Sequence, residues 1–183
     1  MSRGVTLLNT AKETIIEVFL KLLNEKNFEE LKVKEIVQRA KISRSTFYLH
    51  FADKYELMDE VRRELNDRFL SFYRHGQSYW EKPVPLHLCE HIMKYRSFYE
   101  MEFEDSNATR KLSNKLTVYL LQAFGDQDYA IFASYGTIGY LSFWVKDGFA
   151  ISPAEAAEKL LKIGLTNWSK EVELEVFLNK ETN

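Results

Sequence analysis

The chain has 183 residues, 45% of them hydrophobic and 14% aromatic, with seven Gly and three Pro. That much apolar material excludes a disordered chain, and so few turn-forming residues disfavour a many-stranded sandwich or barrel, so the expected class is all-α. Net charge is −2, but residues 31–54 hold six basic side chains (Lys32, Lys34, Arg39, Lys41, Arg44, Lys54) against Glu35 and Asp53, a local excess that suits phosphate.

Residues 6–25 place Leu8, Ala11, Ile15, Val18, Phe19, Leu22 and Leu23 at helical spacing. Asn27 is expected to end this helix in the left-handed conformation, with Phe28 folded back onto its last turn. VKEIVQRA (33–40) repeats the pattern as a short helix, KIS (41–43) breaks it, and Ser43 caps a third helix in RSTFYLHF, with Phe47 and Phe51 facing a core. Asp53 opens DKYE, a capping box with Glu56, ahead of a long helix over 53–74. Gly76, Pro83 and Pro85 mark a main loop over 75–85. Helices follow at about 86–103, 107–124, 128–147 and 153–169. Gly148 closes one of these, and Ser152, Pro153 and Glu155 open the next. The polar tail 179–183 is expected to fray. The chain thus divides into an N-terminal unit, 1–52, a linking helix, 53–74, and a larger C-terminal helical bundle, 75–183.

Two short helices joined by a tight turn, with a helix before and a long one after, have the organisation of a helix-turn-helix module. The first short helix braces the second, whose N-terminal end would enter a major groove. Arg44, Ser45 and Thr46 are then the side chains within reach of base edges, with Arg44 suited to guanine. Tyr48, His50 and Lys54 would meet flanking phosphates.

The stretch NFEELKVKEIVQRAKISRSTFYLHFADKYELM resembles the N-terminal DNA-binding domain of the TetR (tetracycline repressor) family of bacterial transcriptional regulators, through Ile36, Ala40, Ile42, Ser43, Thr46, Phe47, Tyr48, His50, Phe51, Lys54 and Leu57. The resemblance implies a homodimer that binds double-stranded DNA at a palindromic operator, usually as a repressor. It implies base-facing Arg44, Ser45 and Thr46, with Lys32, Ser43, Tyr48, His50 and Lys54 at phosphates. Three positions depart from the usual pattern: Lys32 stands where Thr is common, Val37 where Ala is, and Lys41 where the turn Gly is. Lys32 offers a phosphate ligand in place of a neutral cap, and Lys41 is strained if it keeps the left-handed conformation.

In the C-terminal part, GTIGYLSFWVKDGFAISPAEAAEKL is weakly similar to TetR-like regulators related to dihydroxyacetone-kinase operon activators. Small residues interleaved with rings between Tyr129 and Trp144 suit close helix packing, so Ala133, Gly136, Thr137, Tyr140 and Trp144 are the expected dimer interface. His87 and His91 share a helix face at a spacing that can chelate a metal, with His75 a third candidate, but no closed four-ligand set exists. No metal or cofactor is therefore expected. His87, His91, Tyr95, Tyr99 and Tyr119 are read instead as the polar groups of a small-molecule effector pocket. No glycine-rich phosphate loop and no nucleophile-base arrangement supports an enzyme.

Cys89 is the lone cysteine and cannot form an internal disulfide. No leader signal opens the chain, and charges interrupt every apolar run short of the ~18 residues that a membrane span needs. A cytoplasmic protein without membrane association is expected. The leading reading is a DNA-binding regulator released by an effector. Two others stay open: a regulator governed by a partner protein with no ligand pocket, and a metal-responsive sensor.

Overall fold

The computed structural model describes residues 10–74 and 83–166, and among these every regular element is helical. Helix α1 (Ala11–Leu23) starts at a reciprocal cap: the Thr10 hydroxyl accepts the Glu13 amide at 3.3 Å, and the Glu13 carboxylate accepts the Thr10 amide at 2.7 Å. The expected start at residue 6 lies outside the described residues. Asn27 does not end the helix, because Asn27 is extended (φ −62°, ψ 145°) and leads into a 3₁₀ turn, Phe28–Glu30. Phe28 does fold back, its ring lying edge-on to Phe19 at 6.1 Å.

Helices α2 (Val33–Ala40) and α3 (Arg44–Tyr48) precede the long α4 (Lys54–Arg74). Asp53 accepts the amides of Tyr55 and Glu56 at 2.8 and 2.9 Å and so caps α4, but the Glu56 carboxylate returns to the Ala52 amide, one residue earlier than a capping box requires. After residue 82 come α5 (Val84–Lys94), α6 (Arg96–Glu104), α7 (Ser106–Phe124), α8 (Gln127–Lys146) and α9 (Pro153–Leu165). The expected helix over 86–103 is two helices broken at Tyr95 (φ −114°, ψ 37°), with no Gly or Pro to announce it. The bend brings Tyr95 and Tyr99 together on the His91 ring, at 5.1 and 5.6 Å. Ser152, Pro153 and Glu155 open α9 with a complete capping box, as expected.

One buried apolar cluster runs from Ile15 to Leu160 and includes α4 along its length. Leu57, Met58 and Val61 serve its N-terminal part, and Leu65, Phe69 and Leu70 serve the contacts of α4 with α5 and α7. Polar contacts also cross this junction. Glu102 of α6, buried, accepts Arg62 Nε at 2.8 Å and Asn66 Nδ2 at 3.1 Å, both from α4. Ser97 of α6 donates to Asn24 beyond α1 at 2.8 Å. The long helix therefore carries the N-terminal module on the same core as the C-terminal body. The expectations for Leu8, His75, Gly76 and the tail 179–183 lie outside the described residues.

Candidate nucleic-acid interface

Helix α2 ends in a hydrogen-bonded turn. The Lys41 amide donates to Gln38 O at 3.3 Å and the Ile42 amide to Val37 O at 3.1 Å, with Lys41 left-handed at φ 55° and Ile42 packed against the core. This is a Schellman motif, and its tightness sets α3 at a fixed angle to α2. Ser43 then caps α3, its hydroxyl accepting the Thr46 amide at 3.0 Å. Phe47 is fully buried and Phe51 is 3% exposed, so one side of α3 is anchored in the core. Phe47→Ala would cost about 3–5 kcal/mol and release that anchor.

The opposite side of α3 is exposed: Arg44, Ser45, Tyr48 and the following Leu49 all face solvent. The hydroxyls of Ser43, Ser45 and Thr46 are paired, Ser43 Oγ lying 2.7 Å from Ser45 and 2.8 Å from Thr46. Two bonds among three hydroxyls leave one proton to donate outward. Lys41, just before α3, and Lys32 and Lys34, at the start of α2, are exposed, and with Arg44 they make no ion-pair contact within the described residues. Arg39 and Lys26, in contrast, pair with Glu25 and Glu35. His50 is exposed past the end of α3 and Tyr48 stands edge-on to Phe47 at 5.5 Å.

Lys54 is placed otherwise than expected. Its ammonium donates to Phe28 O and Glu29 O, each at 2.9 Å, and sits 4.6 Å from the Phe28 ring centre, with 13% of its side chain exposed. It clamps the 3₁₀ turn to the start of α4, and two of its three donors are engaged there.

In the C-terminal body the expected dimer residues divide. Trp144 is 2% exposed and donates its indole N–H to Ile151 O at 3.0 Å, Thr137 shares a hydrogen bond with half-buried Tyr73, and Ala133 and Tyr140 pack on the core. Of the five, Gly136 alone is exposed. The outer face of α8 is instead Phe132, Tyr135, Gly136, Gly139 and Phe143, with Phe132 and Phe143 66% and 64% exposed. It lies one residue back, about 100° around the helix, from the predicted stripe. Among the described residues a Cβ added at Gly136 or Gly139 would meet nothing within 4 Å, so none of them requires either glycine.

The expected effector residues also separate. His91 and Tyr99, 5% and 0% exposed, hydrogen-bond each other at 2.9 Å. Burial holds the His91 ring neutral, with its pKa pushed down to about 4, and the Tyr99 phenol well above its ordinary value. His87 stacks on Phe72 at 5.4 Å. Tyr119 is elsewhere, lining a groove of about 480 Å³ with Tyr73, Val118, Gln122 and Ala123. Among the described residues no group of three or more His, Cys, Asp or Glu could hold a metal, and no helix is long and apolar enough to cross a membrane.

Residues 15–61 match the family of bacterial regulatory proteins called the tetR family, in its N-terminal domain. Over 170 residues the chain is 22% identical to YxbF of Bacillus subtilis (strain 168), an HTH-type transcriptional regulator, covering 84% of this chain and 44% of that one. Over 103 residues it is 28% identical to YuxN, another HTH-type regulator of the same organism, covering 52% of this chain and 35% of that one. The chain thus spans less than half the length of either curated relative. Its fold is similar to that of a transcriptional regulator (TerR/AcrR family) from Aquifex aeolicus VF5, with a TM-score of 0.66 at 21% identity over 82% of this chain and 95% of that one.

Proposed function

We propose, from the premise that the chain carries the helix-turn-helix DNA-binding domain of a tetR-family transcriptional regulator, that it represses transcription by holding a palindromic operator as a homodimer. The observation that carries this reading is the two-sided character of α3. Phe47 and Phe51 fix it to the core while Arg44 and one donated hydroxyl proton face outward among exposed lysines. Arg44 reads guanine, Ser45 and Thr46 share the hydroxyl contact, and Lys32, Lys41, Tyr48 and His50 hold phosphates. Ser43 acts through its cap, and Lys54 through its clamp.

A two-fold operator calls for a two-fold protein. The outer face of α8 supports this role: two phenylalanines more than half exposed flank glycines that nothing among the described residues requires. The release signal enters through the C-terminal body. The groove beside Tyr119, bordered by a second phenol from Tyr73, suits a small apolar effector with a polar end. The chain works in the cytoplasm, where its DNA is, and performs no catalysis.

Selection of duplexes from a random pool, followed by binding at several salt concentrations, tests the reading. An enriched inverted repeat, bound as a dimer with affinity falling steeply in salt, is expected. Failure to enrich any sequence would refute it. A thermal-shift screen in which no small molecule stabilises the protein would favour control by a partner protein instead.

A further inference from the structure

Leu49 is 82% exposed, and it is the one large aliphatic side chain so exposed among residues 10–74, where every other Leu, Ile and Val is buried or half-buried. It follows α3 directly, four residues after Ser45, so it shares the outward face with Arg44, Ser45 and Tyr48 and points away from Phe47. Its backbone is fixed by the Leu49 amide donating to Ser45 O at 3.0 Å and by the His50 and Phe51 amides donating to Phe47 O. An isobutyl group on a fixed backbone, on the face proposed to enter a groove, offers apolar area that an apolar group in that groove would bury.

The polar groups on this face are few: the Arg44 guanidinium, the Tyr48 phenol assigned to phosphate, and one hydroxyl proton left over from the Ser43, Ser45 and Thr46 network. Of the four base pairs, only those with thymine present an apolar group in the major groove, the 5-methyl. We infer that Leu49 is a specificity-determining residue that packs against a thymine methyl in each operator half-site, beside the position read by Arg44. The inference rests on the proposed role of α3 in the major groove, and its test separates the two.

With the selected operator in hand, each thymine is replaced in turn by deoxyuridine, which lacks the 5-methyl and nothing else. The full-length protein should bind the dU duplex more weakly by roughly three- to fivefold at one position in each half-site, the value of one buried methyl. Leu49→Ala should bind dT and dU duplexes equally at that position, Leu49→Met should restore part of the preference, and Arg44→Ala should keep it. Leu49 is exposed, so thermal melting of Leu49→Ala should match the parent chain. Equal binding of dT and dU at every position, or a Leu49→Ala loss identical on both duplexes, overturns the inference while leaving the groove reading intact. If selection enriches no sequence, the groove reading fails and this inference falls with it.

Discussion

The turn after α2 and the turn after α8 are the same motif built on different residues. At the second, the Gly148 amide donates to Val145 O at 3.0 Å and the Phe149 amide to Trp144 O at 3.1 Å, with Gly148 at φ 68° and the Trp144 and Phe149 rings in contact at 5.0 Å. At the first, Lys41 takes the glycine's place, and Val37 and Ile42 take the place of the rings. At the position Lys41 holds, the C-terminal body uses glycine and places its own strained residue one step later, at Phe149 (φ 59°), whereas the N-terminal module puts the strain on a cation beside α3. A similar contrast separates the helices themselves. Helix α3 has one apolar side and one polar side, while α8 is apolar on both, with Ile138, Leu141 and Trp144 inward and Phe132 and Phe143 outward. A helix apolar all round needs a partner on each side. Under the proposed function, DNA completes the first region and a second protein surface completes the second.

The most severe break in this comparison comes from charging the outer side of α8. Phe132→Glu with Phe143→Glu should convert a dimer into a monomer, read as a halved mass in solution, and abolish specific operator binding while each chain stays folded. Trp144→Ala, only one residue from Phe143, should do the opposite. It should leave the association state alone and destabilise the chain by about 3–5 kcal/mol, because it empties a site inside the core. Equal effects of the two changes on dimerisation would contradict the division of α8 into an inner and an outer side.

That division was not legible in the sequence, for a physical reason. Where a helix has one apolar stripe its rotation can be read, as for Phe47 and Phe51, but with apolar residues all round α8 several stripes compete and spacing alone cannot choose. The same limit applies to α5 and α6. Their break at Tyr95 is set by how Tyr95 and Tyr99 pack on His91, a tertiary cause with no local Gly or Pro. The caps are another matter. Ser43, Asp53 and Ser152 each accept the amide that their position predicted, because a cap is decided by residues within one turn of it. Lys54 was readable as a cation but not as a clamp, since its acceptors lie in the 3₁₀ turn, far back along the chain.

His91 gives the C-terminal body a pH dependence. Its ring donates to the Leu65 backbone, which leaves Nε2 to accept from Tyr99, and burial, with Arg68 and Lys94 nearby, opposes a proton. The unfolded chain protonates this group below pH about 6.5, but the folded chain does so only near 4. The unfolded state therefore binds more protons in that window, and stability should fall by about 3 kcal/mol as pH drops through it. Glu60 acts lower on the scale. Hydrogen bonds from Arg63 and Lys12 hold its carboxyl down at about 2, so its contribution is present above pH about 4.5 and fades below that. Denaturant melts at pH 7, 5.5 and 4.5 should show the first slope, and His91→Gln should flatten it.

On the reading face, Arg44→Ala and Lys54→Ala should differ in kind. Loss of Arg44 should cost about 1–3 kcal/mol of discrimination against the wrong base pair with melting unchanged. Loss of Lys54 removes two hydrogen bonds and a ring contact, so the domain should melt with about 1–2 kcal/mol less stability. At temperatures where the variant is folded, its salt slope should match that of the parent. A shallower slope with unchanged melting would show that Lys54 neutralises a phosphate in the complex rather than clamping the turn.

The smallest effect, Lys41→Gly, bears most directly on the pair of turns. Glycine removes the steric cost of φ 55° but adds freedom to the unfolded chain, and the first outweighs the second by about 0.5–1 kcal/mol where the native residue is left-handed. The variant should therefore be the more stable one, by a few degrees in melting temperature. Operator binding should move the other way, with weaker affinity at low salt and a salt slope reduced by about 1, because an exposed charge beside α3 is gone. Opposite signs for folding and binding would mean that this turn keeps a strained lysine for its charge. A gain in both would reduce Lys41 to an ordinary imperfect cap.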